Sequence, residues 1–129
     1  MSRTLFSNVK INNIEVYESK NDCVDLSFGK YYVKKLNLTN CGDKSISIGE
    51  RSLGQFDNIN SSGSNIVIAI KDSSDVSILN LKAKDYLKCI TMYRKKTEFS
   101  GSKLKIKNDN CVTNMNFIDN GNIILKNVF

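Results

Sequence analysis

Residues 23–27 (CVDLS), 45–49 (SISIG), 67–71 (VIAIK) and 89–93 (CITMY) start 22 residues apart and share one pattern. Val24, Ile46, Ile68 and Ile90 form an apolar column, which Val112 continues at the same spacing. Two positions on, Leu26, Ile48, Ile70 and Met92 form a second column. Between the columns stand Asp25, Ser47, Ala69, Thr91 and Thr113, all small or polar. Apolar and polar residues thus alternate with the period of a strand that buries one face. A strand that returns at a fixed phase in this range is the signature of a solenoid. The reading is all-β: a right-handed parallel β-helix of about five coils.

Working outward, residues 7–17 read as strand material ahead of the first regular coil, with Val9, Ile11, Ile14 and Val16 inward. Second strands are expected at 33–38, 56–59, 76–81 and 104–106. A fifth coil is expected to open at 111–115 and a last strand at 123–129. The stretch 61–64 (SSGS) reads as a loop. Irregular spacing away from the repeating wall suits a solenoid, whose corners accept insertions while one sheet keeps register. A β-sandwich competes, but its loops vary too freely to hold five apolar positions in phase. Both ends of such a rod leave strand edges unpaired, to be capped by further chain or by self-association.

At 129 residues the chain makes one domain, spanning 1–129, and a fragment of a longer protein fits the same reading. Proline is absent and asparagine occurs 17 times. Asparagine tolerates left-handed corners and stacks in hydrogen-bonded ladders. The absence of histidine removes Ser-His-Asp and Cys-His catalysis and every His-ligated metal centre. The net charge of +6 admits an anionic partner. No long apolar run suggests a membrane span, and residues 1–10 lack the apolar core of a signal peptide. A surface or secreted location therefore requires an export signal encoded upstream. No cofactor motif stands in the sequence.

Residues 22–29 (DCVDLSFG), 40–52 (NCGDKSISIGERS), 68–74 (IAIKDSS) and 89–101 (CITMYRKKTEFSG) resemble a known subgroup. They are similar to the C-terminal β-helix of bacterial spore-coat-protein-H-like surface proteins, and more broadly to the pectate-lyase-like superfamily. The resemblance covers roughly residues 22–101. It implies a bacterial surface setting and polysaccharide as partner. It carries over no kinase activity and no catalytic residues.

The repeat stacks charged side chains at the turn after the repeating strand. Asp25, Glu50, Arg51, Lys71, Asp72, Tyr93, Arg94 and Lys95, followed by Lys96, form a candidate surface stripe. Its carboxylates and bases are the groups a sugar-cleaving groove needs. Alternating signs also suit ion pairs between coils, such as Glu50 with Lys71 and Asp72 with Arg94 or Lys95, and this structural reading carries more weight. Cys23, Cys89 and Cys111 share a column, while Cys41 sits at a corner. Cys89 and Cys111 are coil neighbours in reach of a disulfide, although buried free thiols are the favoured reading. The basic runs 30–35 (KYYVKK) and 103–107 (KLKIK) invite nucleic acid, yet in the latter lysines alternate with apolar residues like the wet face of a strand. With no binding motif beside the charge, nucleic acid is disfavoured.

The leading expectation is a non-catalytic scaffold or carbohydrate-binding module of a bacterial surface or secreted protein. The alternatives are a polysaccharide lyase or glycoside hydrolase on the outer face of the repeating sheet, and a binder of anionic polymers or nucleic acid.

Overall fold

The computed structural model describes residues 8–127. The strand start at Ser7, the strand end at Phe129 and most of the segment compared with a signal peptide lie outside them. The strands are β1 (Asn8–Val16), β2 (Val24–Ser27), β3 (Lys30–Thr39), β4 (Lys44–Gly49), β5 (Leu53–Lys71), β6 (Asp75–Tyr93), β7 (Lys103–Asp109), β8 (Phe117–Ile118) and β9 (Ile123–Lys126). All strand pairings are parallel, each joining a segment to the one a coil away. The chain is a parallel β-solenoid of about five coils. No helix among the described residues is long and apolar enough to cross a membrane.

Each complete coil has three walls. The first holds β2, β4 and the ends of β5 and β6, where Ile46, Ile68 and Ile90 stack in register. The second holds Val33, Phe56, Ile78 and Ile106. The third holds Leu36, Ile59 and Leu81. Between second and third walls the inward residues lie three apart, as in Val33 to Leu36, rather than two, so the strand bends there. The other corners need left-handed backbone, supplied by Asn40, Gly63 and Asp85 at one and by Glu50, Arg51, Asp72 and Ser73 at the other. At the first of these corners, a Cβ on Gly42 would run into the backbone of Lys20, so the coils approach there only through a glycine.

The repeat columns fill the core. Ile46, Ile48, Ile68, Ile70, Ile90 and Met92 are fully buried, whereas Val24 is at the edge of burial and Leu26 only half-buried. Among the described residues β2 pairs only with β4, leaving its other edge uncovered, which explains both departures. Ser45 and Ser61 also face inward, and their hydroxyls satisfy each other at 2.6 Å.

Four expectations change. Residues 61–64 are not a loop: they lie inside β5, where Ser61 and Ser62 pair with Ala83 and Lys84. Val112 does not continue its column and is exposed. The offset between coils is 22 residues from β5 to β6 but 28 from β6 to β7, because residues 94–102 are inserted at the corner. In the last coil Ile118, not a residue near 114, therefore stacks on Met92. The strand expected at 111–115 is replaced by a 3-10 turn at Thr113–Met115.

Finally, the cysteines are not free thiols. Cys23 bonds Cys41 and Cys89 bonds Cys111, with Cα separations of 5.4 and 5.8 Å. A parallel stack brings neighbouring coils within disulfide reach wherever two cysteines share a corner or a column. One bridge clamps the first coil to the second, and the other clamps the fourth to the fifth.

Asparagine amides finish the last coil. Asn110 accepts from the Ala83 N–H at 2.8 Å and donates to its carbonyl at 3.2 Å, as a further strand would. Asn116 accepts from Ile90 N–H and Asn122 from Ser102 N–H. These side chains satisfy backbone groups that the short final coil leaves open.

Candidate functional site

The expected stripe divides into two groups. The first is the turn after the repeating strand, where the inserted residues 94–102 fold back over it. The Asp72 carboxylate is buried and accepts the backbone N–H groups of Lys95 and Lys96 at 2.7 and 3.0 Å. Glu50 pairs with Lys96 at 3.2 Å, and the Arg51 guanidinium lies 5.5 Å from the centre of the Phe99 ring. The Ser73 and Ser100 hydroxyls meet at 2.8 Å, and Arg94 donates to the Phe99 carbonyl. The expected ion pair at Glu50 therefore exists, but its partner is Lys96 rather than Lys71. Asp72 binds backbone amides of the loop rather than the side chains of Arg94 or Lys95. Glu50, Arg51 and Asp72 are thereby engaged in holding a loop.

The second group is on the outside of the first wall. Ser47, Ala69 and Thr91 point away from the core cluster yet are buried. Gly49 leaves a slot over which the Lys71 stem passes, its Cε 3.5 Å from where a Cβ would stand. The Lys71 ammonium then donates to the Ser47 hydroxyl at 2.9 Å. Among the described residues it has no ion pair with a carboxylate. Burial lowers its pKa first, and the nearby charges of Lys44 and Lys95 add to that, while Asp25 and Asp22 oppose it. Tyr93, its neighbour in register, has its hydroxyl pKa raised chiefly by burial. This wall thus carries a poorly solvated cation with spare hydrogen-bond donors, able to hold an anion. Asp25 is exposed and Lys95 stands on the loop.

The third wall was not singled out from the sequence. Three consecutive coils present Lys35, Asn37 and Thr39, then Asn58, Asn60 and Ser62, then Asn80, Lys82 and Lys84, outward and in register. Amide ladders cross the coils: Asn60 donates to Asn37 at 3.0 Å, Asn80 to Asn58 at 3.1 Å, and Asn108 to Asn80 at 3.0 Å. Each ladder amide retains a second N–H and a lone pair for a ligand. Two clefts of about 220 and 260 Å³ lie over this grid and share Asn60 and Lys82. The general capacity of asparagine for ladders was legible. The grid was hidden because the offset is 23 residues from β3 to β5 but 22 from β5 to β6.

Among the described residues no three Asp, Glu or Cys side chains gather closely enough to hold a metal ion. Comparison with known proteins finds no family model, no curated protein and no solved structure that matches this chain.

Proposed function

We propose that the chain is a non-catalytic β-helix module that binds a polysaccharide along its third wall. The observation that carries this reading is the grid of amides, hydroxyls and lysines repeated on three coils in register. Its coil spacing of about 4.8 Å is close to the length of one sugar residue, so a polymer lying along the axis meets equivalent donors at each step. Lys35, Lys82 and Lys84, with no acidic residue among the nine positions, favour an anionic polymer. Two disulfides support a compartment that keeps thiols oxidised, as a surface or secreted protein requires. The pectate-lyase-like affinity rests on the solenoid together with the motifs at 22–29, 40–52, 68–74 and 89–101, and the bacterial setting on those motifs alone.

The test is binding to a panel of neutral and acidic polysaccharides, with duplex DNA as a charge control and product release followed in parallel. A Lys82→Ala/Lys84→Ala variant should bind the preferred polymer roughly tenfold more weakly, as expected for the loss of two charge-assisted contacts. Wild-type affinity in that variant, or equal affinity for DNA, overturns the reading.

A second reading is favoured by Lys71: a lyase in which the neutral form of its amine, which desolvation favours, takes a C–H proton of the sugar on the first wall as the glycosidic C–O bond breaks and water protonates the leaving oxygen. Polymer cleavage that disappears in Lys71→Met establishes it, and binding without cleavage rejects it.

A further inference from the structure

A groove of about 380 Å³ lies on neither the charged stripe nor the third wall but on the outside of the second. Register places Lys10, Tyr32, Gln55 and Ser77 in one outward column across it, with Lys30, Leu53 and Asp75 in the next. The Tyr32 hydroxyl donates to the Asp57 carboxylate at 2.6 Å, anchoring the ring at the corner between second and third walls. Leu53, the first residue of β5, stands beside it with 43% of its surface exposed. Ring and leucine together make a small apolar floor.

We propose that this groove is a subsite for a sugar unit carrying an anionic substituent, on the same polymer that the third wall holds; it rests on the polysaccharide reading above. An aromatic ring with a fixed orientation is a platform for the C–H face of a pyranose, and it stacks with little entropy to lose. Lys10 and Lys30, from adjacent coils, stand at one end of the floor. Among the described residues neither forms an ion pair with a carboxylate. Asp75 stands at the other end, in the coil farthest from Lys10. A negative group is therefore drawn to the Lys10 and Lys30 end, whereas at the other end Asp75 stands in register with Lys103 and offsets its charge. Gln55 and Ser77 supply donors and acceptors for ring hydroxyls between the two. Carboxylate, sulfate and phosphate substituents share this chemistry, because lysine binds each as a point charge.

The experiment measures short oligosaccharides by calorimetry and by quenching of tyrosine emission, which is readable because the chain has five tyrosines and no tryptophan. Dextran oligomers, the same oligomers sulfated, and oligogalacturonates of equal length distinguish a neutral, a sulfated and a carboxylated ligand. The sulfated or carboxylated oligomers should bind and the neutral ones should bind at least about tenfold more weakly, the value of one lost ion contact. Lys10→Ala/Lys30→Ala should remove that preference. Tyr32→Ala should weaken every oligomer, while Tyr32→Phe should keep most of the affinity because it keeps the ring. Circular dichroism and melting temperature certify the folds, and the lysine variant, altered only at exposed positions, remains decisive if Tyr32→Ala does not fold. Unchanged affinity in both the lysine variant and a folded Tyr32→Ala overturns the subsite. Long-polymer binding that still depends on Lys82 and Lys84 leaves the third-wall reading standing in that case. The converse pattern, in which short oligomers need Tyr32 but long polymers ignore Lys82 and Lys84, keeps the subsite and overturns the third wall.

Discussion

Lys71 shows how far a side chain's chemistry departs from its place in a repeat. As the position after Ile70 it is an outward lysine in register with Gly49 and Tyr93. Because the residue above it is glycine, its stem crosses to Ser47 and its ammonium loses water. Its folded pKa is lowered, so the native state binds fewer protons than the unfolded chain between that value and the unfolded one. Stability from this group therefore rises with pH across that window and is least where lysine is charged in both states. Lys71→Met should raise the melting temperature by a few degrees at pH 7. The difference from wild type should shrink as the pH approaches the unfolded lysine value of about 10.4. Melting curves at pH 7 and pH 10 check both statements. A variant that melts lower than wild type at pH 7 would mean the bond to Ser47 outweighs desolvation.

At the scale of the element, the inserted loop 94–102 is the clearest case of carboxylates set to structural work. Asp72 satisfies two backbone N–H groups of the loop from a buried position. Asp72→Ala should cost about 1–3 kcal/mol, the penalty for amides left without an acceptor. Hydrogen exchange at Lys95 and Lys96 should accelerate more than in the core strands. Glu50→Gln touches a pair that water reaches, with 44% and 25% side-chain exposure, and should cost no more than about 1 kcal/mol. Polysaccharide binding should survive both changes, because neither residue lies on the grid or in the second-wall groove. Loss of binding in a folded Glu50→Gln protein would return the stripe to candidacy. That the stripe is charged and stacked was legible in the 22-residue phase. Its partners were not, since Lys96, Phe99 and Ser100 belong to an insertion that has no phase.

Across the whole molecule, the two disulfides sit where the solenoid is weakest. The outer edges of β1 and β9 have no strand partner among the described residues, and β2 and β8 are short. Closing segments of 18 and 22 residues, each bridge should contribute about 2–4 kcal/mol. Thiol titration of denatured, unreduced protein should find no reactive cysteine. Reduction should lower the melting temperature, with Cys23→Ser/Cys41→Ser and Cys89→Ser/Cys111→Ser each giving part of the fall. Four reactive thiols before reduction would contradict the bridges.

The repeating columns determined the architecture without help from any contact, because strand alternation at a constant phase permits few folds other than a parallel stack. Ile46, Ile68 and Ile90 announce both the strand and its partner, since residues one period apart must be neighbours in a solenoid. The sequence also indicated the coil neighbours Cys89 and Cys111 but favoured free thiols over the bridge, because a buried cysteine packs as a small apolar residue whether or not it is bonded. Only the tertiary structure decided where the period slips: by one residue between β3 and β5, and by six at the 94–102 insertion. Those slips displaced Val112, created the amide caps of the last coil and hid the third-wall grid. Their physical origin is common to all: a corner tolerates an extra residue at small cost, whereas a packed wall cannot. The wall's pattern therefore survives in the sequence, and the surface chemistry that depends on corners appears only after the chain is wound.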